Sequence, residues 1–413
     1  MHLSKRALAI QESAIRKLDA AVNKVSGVHF HRMNIGQPDV PTPKAVLAAL
    51  AAEDGPVLAY GPASGLLECR DAAAAFHSRT SPGLTREHVV VTQGGSEALL
   101  FAMVALCDPD DEIMVPEPFY TNYNGFATFA GAKVVPVPTS LDEGFAIPSD
   151  DVLDRLATEK TRIFLFANPG NPTGAVYGAE QLRRVAAWAK RRGIWLVADE
   201  VYRAIWFQAP PLSALNLKGH EDHVIVVDST SKTFSSCGLR VGFLISRNLE
   251  LMERLERLGQ ARLGPQPRGQ RAAMAALALP ESYYDEVRHI YKSRVDAMMD
   301  ALAQLPGVTF HRPEGAFYTM ARLPVNDTER FARWLVEDFR DMTTGEAESV
   351  VVAPGPGFYA DPTKGRDEIR LAAVREESQL RRAVEVLGAG LGAFPGASPS
   401  AAQTGRPQVP GST

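Results

Sequence analysis

The chain of 413 residues is too long for one small core, and its 45% hydrophobic and 22% charged composition is that of an ordinary folded protein. The 44 basic and 48 acidic residues leave a formal net charge of −4 with no long run of one sign, which excludes the electrostatic footprint of a nucleic-acid binder. The three cysteines (Cys69, Cys107 and Cys237) have neither metal-ligand nor disulfide spacing, which suits a reducing compartment, and no apolar run is long enough to span a membrane.

Residues 1–30 mix charged and short apolar positions without a continuous apolar stretch. They predict an amphipathic helix with Ile10, Ala14, Ile15 and Leu18 on one face, not a signal peptide, and a cytoplasmic location is the expectation. The stretch 29–39 predicts a strand running into a turn at Gly36. A helix follows from Lys44 to Ala52, then a glycine-rich loop over 60–65 and a helix over 66–79. Strands are predicted at 89–91, 112–115, 133–137, 161–166, 195–198, 224–227 and 241–245, with helices between many of them. This alternation predicts an α/β fold: a mostly parallel central sheet flanked by helices, with ligands at the strands' carboxyl ends. Around 280–282 the character changes. A long helix over 283–305 leads to a mixed unit with candidate strands at 308–310, 315–318 and 369–372. The expected division is an arm over 1–45 joining a smaller α/β domain, a large domain over 46–282, the rest of the smaller domain over 283–393, and a disordered tail over 394–413.

Chemistry concentrates after the strand at 224–227, in Val224-Ile-Val-Val-Asp-Ser-Thr-Ser-Lys-Thr-Phe-Ser-Ser-Cys-Gly-Leu-Arg-Val-Gly-Phe243. A lysine just past a buried strand, Lys232, loses hydration and gains nucleophilicity, and such an amine forms a Schiff base with an aldehyde. Ser229, Ser231 and Arg240 offer a phosphate hydroxyls and a planar guanidinium fork. Taken alone, the stretch also reads as a polar loop with two solvated cations. Gln93-Gly-Gly-Ser96 opens a helix after a strand, where glycines admit a phosphate to the backbone, although many turns carry two glycines without that role. Asn168-Pro-Gly-Asn-Pro-Thr-Gly174 is either an ordinary turn or a rigid loop that aims Asn171 in one direction. Asp199, at the end of a buried strand, is either a cap or a buried charge that needs a cationic partner. Arg370, inside the apolar Ile369-Arg-Leu-Ala372, is either ion-paired within the protein or a clamp for an anion.

The order Ser-x-Ser-Lys-x-x-Ser-x-x-Gly-x-Arg-x-Gly, together with these other motifs over about 34–373, resembles the fold-type I pyridoxal-phosphate enzymes of the class I/II aspartate aminotransferase family. The resemblance implies pyridoxal 5′-phosphate as cofactor, held as a Schiff base by Lys232 in the large domain. It further implies that Asp199 keeps the ring nitrogen protonated, Tyr202 and Asn171 bond the phenolic oxygen, and Tyr120 stacks on the ring. Gly95, Ser96, Ser229 and Arg240 would form the phosphate cup, completed by the partner subunit's Tyr60 in a homodimer. Gly36, Asn171 and Arg370 would bind substrate, Arg370 as a bidentate clamp on the α-carboxylate. The implied activity is transfer of an amino group between an L-amino acid and a 2-oxo acid with ping-pong kinetics, Lys232 moving the substrate's Cα proton. The implied partners are small molecules only, with no nucleic acid, membrane or metal.

Aspartate or glutamate with oxaloacetate or 2-oxoglutarate is the favoured pair, since Val-Pro-Glu-Pro-Phe-Tyr and Val-Ala-Pro-Gly-Pro-Gly-Phe-Tyr look most like bacterial aspartate-type transaminases. A dicarboxylic substrate wants a further cation. Ser96 stands where some aspartate-specific relatives carry a lysine, and Arg262 reads either as the side-chain anchor or as a surface or interface residue. Neutral or aromatic amino acids are the alternative, as is a lyase or cyclase on the same fold. A nicotinamide-dependent dehydrogenase is disfavoured: neither Gly355-Pro-Gly-Phe-Tyr nor Gly388-Ala-Gly-Leu-Gly has the setting of a dinucleotide loop.

Overall fold

The structure, a computed structural model, describes residues 2–10, 14–52 and 55–395. Its strands are β1 (His29–Arg32), β2 (Val89–Thr92), β3 (Glu112–Glu117), β4 (Lys133–Pro138), β5 (Thr161–Ala167), β6 (Trp195–Asp199), β7 (Val224–Ser229), β8 (Gly242–Ile245), β9 (Thr309–Phe310), β10 (Tyr318–Arg322), β11 (Glu348–Val351), β12 (Ala353–Pro354) and β13 (Glu368–Ala372).

Continuous apolar strands need cover on both faces, and the large sheet supplies it. Phe164 and Phe166 of β5 enter one core with Val224 and Val226 of β7, whereas Ile163, Leu165, Ile225 and Val227 enter the core on the opposite face. The two-residue period of a strand sorts them. The first core is covered by helices including Leu67–Ser78, Ala179–Arg192 and Pro267–Leu277, the second by Gly94–Leu106, Asn122–Ala130 and Leu249–Arg262. The sheet runs β2-β8-β7-β6-β5-β3-β4. Every pairing is parallel except those of β8, which is antiparallel to both β2 and β7.

The rest of the strands form a four-stranded antiparallel sheet, β12-β13-β10-β9, and a parallel pair of β1 with β11. Helices Glu281–Leu302, Thr328–Glu337 and Glu377–Ala393 share one core with them, and Leu18, Val22 and Met33 from the N-terminal segment enter that same core.

Two local expectations change. The N-terminal helix is two helices, Lys5–Ala9 and Ala14–Val22: the first buries no residue and leaves Ile10 exposed, and Leu18 of the second meets the core. The side chains of Ala14 and Ile15, and the tail from 396 on, lie outside the described residues. The strand expected at 315–318 begins only at Tyr318. A Cβ on Gly315 would lie 2.7 Å from Pro169 and 2.9 Å from the Ile205 carbonyl oxygen, so this stretch threads a tight connection between the two units.

Close backbone contact also places the helix that starts at Gly94. A Cβ on Gly242 of β8 would lie 2.3 Å from the carbonyl carbon of Gly94 and 2.6 Å from the Gly95 nitrogen. Gly242→Ala is therefore expected to lower stability by about 1–3 kcal/mol as a small-to-large change against backbone. Gly238→Ala, where nothing lies within 4 Å of the added methyl, should stay within about 0.5 kcal/mol of the parent. Urea denaturation midpoints of the two variants check the contrast.

Candidate functional site

The turns leaving the carboxyl ends of β2, β5, β6 and β7 face the segment after β1 and the strands β10 and β13 across a cavity of about 500 Å³. Gly36, Gly95, Ser96, Tyr120, Asn171, Asp199, Tyr202, Ser229, Lys232, Arg240 and Arg370 all line it. Gly95, Asn171, Asp199 and Lys232 meet in one place because parallel strands send their carboxyl-end turns to the same edge, and Gly36 and Arg370 close the cavity from the other sheets.

Lys232 sits in the turn after β7. Its Nζ donates to the carbonyl of Gly36 at 2.8 Å and lies 5.9 Å from the ring centroid of Tyr202. Gly36 has to be glycine for a packing reason, since a Cβ there would lie 1.6 Å from the Tyr318 hydroxyl. That hydroxyl is 2.9 Å from the hydroxyl of Tyr202. Burial first, and then Tyr318, hold the Tyr202 phenol well above its usual pKa, so it stays a proton donor. Burial likewise pushes Tyr120 up to about 12.

Asp199 closes β6 and is 6% exposed. Its Oδ2 accepts from the Tyr123 hydroxyl at 2.8 Å and its Oδ1 from the Val201 N–H at 3.4 Å. Burial pushes its carboxyl up to about 6, and the two hydrogen bonds only partly oppose that. In the sequence, Tyr123 of Glu117-Pro-Phe-Tyr-Thr-Asn-Tyr reads as a packing aromatic. Its spacing after the Pro-Phe-Tyr turn carries no sign of the bond to Asp199. Glu200, beside it, holds a turn: it accepts from Ala214 N–H and Ser213 Oγ at 2.7 and 3.1 Å.

At another part of the wall, Arg240 adopts a left-handed backbone (φ 53°) and donates to the carbonyls of Cys237 and Gln93 at 3.1 and 3.2 Å. Among the described residues no carboxylate pairs with it. A Cβ on Gly94 would lie 2.4 Å from its guanidinium. The cluster also holds Ser96, Ser229, Ser231 and the amino end of the helix Gly94–Leu106. Behind it, Asp228 accepts the Ser229 N–H at 2.7 Å and faces the buried His77 Nε2 at 3.3 Å.

Arg370, at 4% exposure, lies with its guanidinium carbon 4.6 and 4.8 Å from the ring centroids of Tyr318 and Phe358. It donates to the Asn171 Oδ1 at 3.2 Å and to the Asn34 carbonyl at 2.5 Å, and its Nε has no partner. No carboxylate among the described residues neutralises it. The donor set therefore fits a particular kind of guest. Arg240 with its hydroxyls and helix end suits a dianion, Asp199 suits a protonated ring nitrogen, Lys232 suits an aldehyde, and Arg370 suits a carboxylate.

Two of the residues singled out from sequence lie elsewhere. Arg262 is not a cavity residue: it is ion-paired with Glu97 and donates to the Ala63 carbonyl at 3.0 Å. Of its two readings, the side-chain anchor does not hold within this chain's own cavity, where the guanidinium is instead engaged by Glu97. Tyr60 is 85% exposed and does not reach the cavity of its own chain. Asp19 and Tyr318, which line the cavity, carried no motif in the sequence.

Residues 29–387 match the family described as Aminotransferase class I and II. The chain is similar to an aspartate aminotransferase of Streptomyces avermitilis, with 33% identity over 86% of this chain and 89% of the relative. It is also similar to an aspartate/prephenate aminotransferase of Thermus thermophilus, 31% identical over 93% of this chain and 97% of the relative. Among solved structures, aspartate aminotransferase from Thermus thermophilus with maleate superposes with a TM-score of 0.85 at 30% identity, covering 95% of this chain and all of the other.

The buried Asp199 carries a testable penalty. Its folded value of about 6 lies above that of an unfolded aspartate, so the native carboxyl binds its proton more tightly. Stability of the ligand-free protein from this group is therefore lost as pH rises from about 4 to about 6. Asp199→Asn is expected to raise the ligand-free protein's stability by up to ~3 kcal/mol at pH 7, with the gain gone near pH 4. Urea denaturation at the two pH values measures it.

Proposed function

The chain belongs to the class I and II aminotransferase family, fold-type I enzymes that depend on pyridoxal 5′-phosphate, and on that premise we propose how its residues divide the work and which amino acids it takes. Bound in the cavity, the cofactor supplies an aldehyde that condenses with amines and a ring that draws electrons from the bonds at the substrate's Cα. Arg240, Ser96, Ser229 and the N–H groups at Gly95 would hold its phosphate, Asp199 would pair with its ring nitrogen, Tyr120 would cover the ring, and Tyr202 and the Asn171 amide N–H₂ would donate to its phenolic oxygen. Tyr123 keeps the Asp199 carboxylate oriented and favours its charged form.

Arg370 clamps the α-carboxylate of the incoming amino acid. Asn171 and the Asn34 carbonyl fix the guanidinium's plane, and the rings of Tyr318 and Phe358 keep water from its faces, which strengthens the clamp. Lys232 Nζ, anchored by the Gly36 carbonyl, takes the proton from Cα and later gives it back on the other side of the transfer. The observation that carries this reading is Arg370: a buried cation, unpaired with any described carboxylate, in the same cavity as Lys232.

The relatives' names support aspartate or glutamate as amino donor. A second reading, a neutral amino acid, is favoured by Ser96 and by Arg262 being held on Glu97, which leave no further cation on the cavity wall among the described residues. The working unit we propose is a homodimer: the exposed Val57, Leu58 and Tyr60 present an apolar edge for a second copy, and the partner's Tyr60 would complete the phosphate cup. The unpaired Cys69, Cys107 and Cys237 suit the cytoplasm.

The visible absorption of the purified holoenzyme tests the function. The band of the bound cofactor is expected to bleach on adding an amino acid and to return with 2-oxoglutarate. A band that shifts without returning would indicate a lyase or cyclase instead. Lys232→Ala is expected to lower kcat by at least about 10⁴-fold, since covalent attachment and proton transfer are both removed. Turnover near the parent rate in a coupled 2-oxo acid assay would refute its role.

A further inference from the structure

All three cations among the described residues of the cavity wall are engaged by the transaminase reading: Lys232 with the amino group, Arg240 with phosphate and Arg370 with the α-carboxylate. What remains for a substrate's side chain has the opposite character. Asp19, from helix Ala14–Val22, lines the same cavity with a side chain 25% exposed. Its Oδ1 accepts from Arg32 Nη1 and from Asn34 Nδ2, both at 3.1 Å. Among the described residues, both of its hydrogen bonds fall on that one oxygen, and Oδ2 remains an acceptor.

Asn34 sharpens the point. It is fully buried, lines the cavity, and its Oδ1 has no partner. Because its Nδ2 donates to a carboxylate, the orientation of the amide is fixed and the orphan atom is an acceptor. Its backbone carbonyl takes a guanidinium N–H of Arg370 at 2.5 Å, so a single residue couples Asp19 to the clamp that would hold the substrate. Beside the clamp, then, stand two acceptor atoms with no described partner: the buried Asn34 Oδ1, and Oδ2 of the Asp19 carboxylate, which Arg32 and Asn34 hold through Oδ1 alone.

We propose that Asp19, held by Arg32 and Asn34, sets side-chain specificity: it makes the outer part of the substrate cavity an acceptor site that rejects a side-chain carboxylate and selects a side chain donating hydrogen bonds, such as an amide, hydroxyl or ammonium group. The inference rests on the transaminase reading and sharpens its second form. Rejection works by setting a substrate carboxylate against the Asp19 carboxylate, a like charge that Arg32 engages only through Oδ1. Selection works because a buried acceptor left unpaired is costly.

The test uses isosteric pairs with the holoenzyme: kcat/KM of the amino-donor half-reaction for L-glutamine against L-glutamate, and L-asparagine against L-aspartate. The wild type is expected to favour the amide of each pair by about tenfold or more, through KM more than kcat. Asp19→Asn should shift both ratios toward the acid by on the order of tenfold while the bound cofactor's band persists. Arg32→Gln separates charge from tethering. If the carboxylate's charge acts, removing its cation leaves the ratios unchanged or moves them further toward the amides. If Asp19 merely anchors the segment, Arg32→Gln moves them the same way as Asp19→Asn, and the proposal fails. A wild type that prefers glutamate or aspartate also overturns it, with no variant needed. Absence of bleaching with every amino acid would overturn the transaminase reading itself, whereas bleaching with ratios indifferent to Asp19 would overturn only this inference.

Discussion

The structure depends on charge kept out of water at the carboxyl edge of the large sheet. Asp199 lies inside with two hydrogen bonds and a carboxyl displaced to about 6, and Arg370 lies inside with two acceptors, two aromatic faces and an unpartnered Nε. Neither neutralises the other. An isolated buried ion is among the most unfavourable features a fold can carry. The surrounding cores have to be large and well covered on both sheet faces to tolerate them, as the alternating burial along β5 and β7 shows. Groups held so poorly satisfied in the ligand-free chain are the ones best placed to gain from ligands of opposite charge, which is why binding chemistry concentrates there.

The large sheet was legible in the sequence because its strands are short, mostly apolar runs separated by helical patterns, and β2 and β5 run into turns rich in glycine, proline or asparagine. The placing of Lys232, Asp199 and Asn171 was legible for a related reason: Asp199 ends a strand and the other two lie in the turns that follow one, where a parallel sheet exposes its ligand edge. The reversed direction of β8 was not legible. A four-residue apolar run carries no mark of its polarity, and the connection over 230–241 is long enough for either direction, so only the observed register reveals the antiparallel pairing.

What stayed hidden depends on contacts between distant segments. Arg262 reads identically in sequence whether it meets a substrate or Glu97, and the partner 165 residues away decided. Tyr123 and Tyr318 look like core aromatics, and each is mostly that; their hydroxyls alone join the polar network. Asp19 belongs to a segment whose periodicity reports an amphipathic helix and says nothing about what its polar face meets. The tight passage at Gly315 likewise follows from Pro169 and Ile205 pressing on it, not from any property of Gly-Ala-Phe-Tyr itself.

The pairing of β1 with β11 sets His29 beside Glu348 and Arg32 beside Val351. During synthesis the ribosome releases the first of these strands long before the second exists. The segment bearing Asp19, Asn34 and Gly36 must therefore wait, unpaired, while the large sheet assembles beside it. Contacts of such sequence separation are slow to form because a long loop must close before they gain anything. A nascent chain that ends before β13 holds every strand of the large sheet and still lacks Arg370, so the cavity cannot be whole until the last strand has been made.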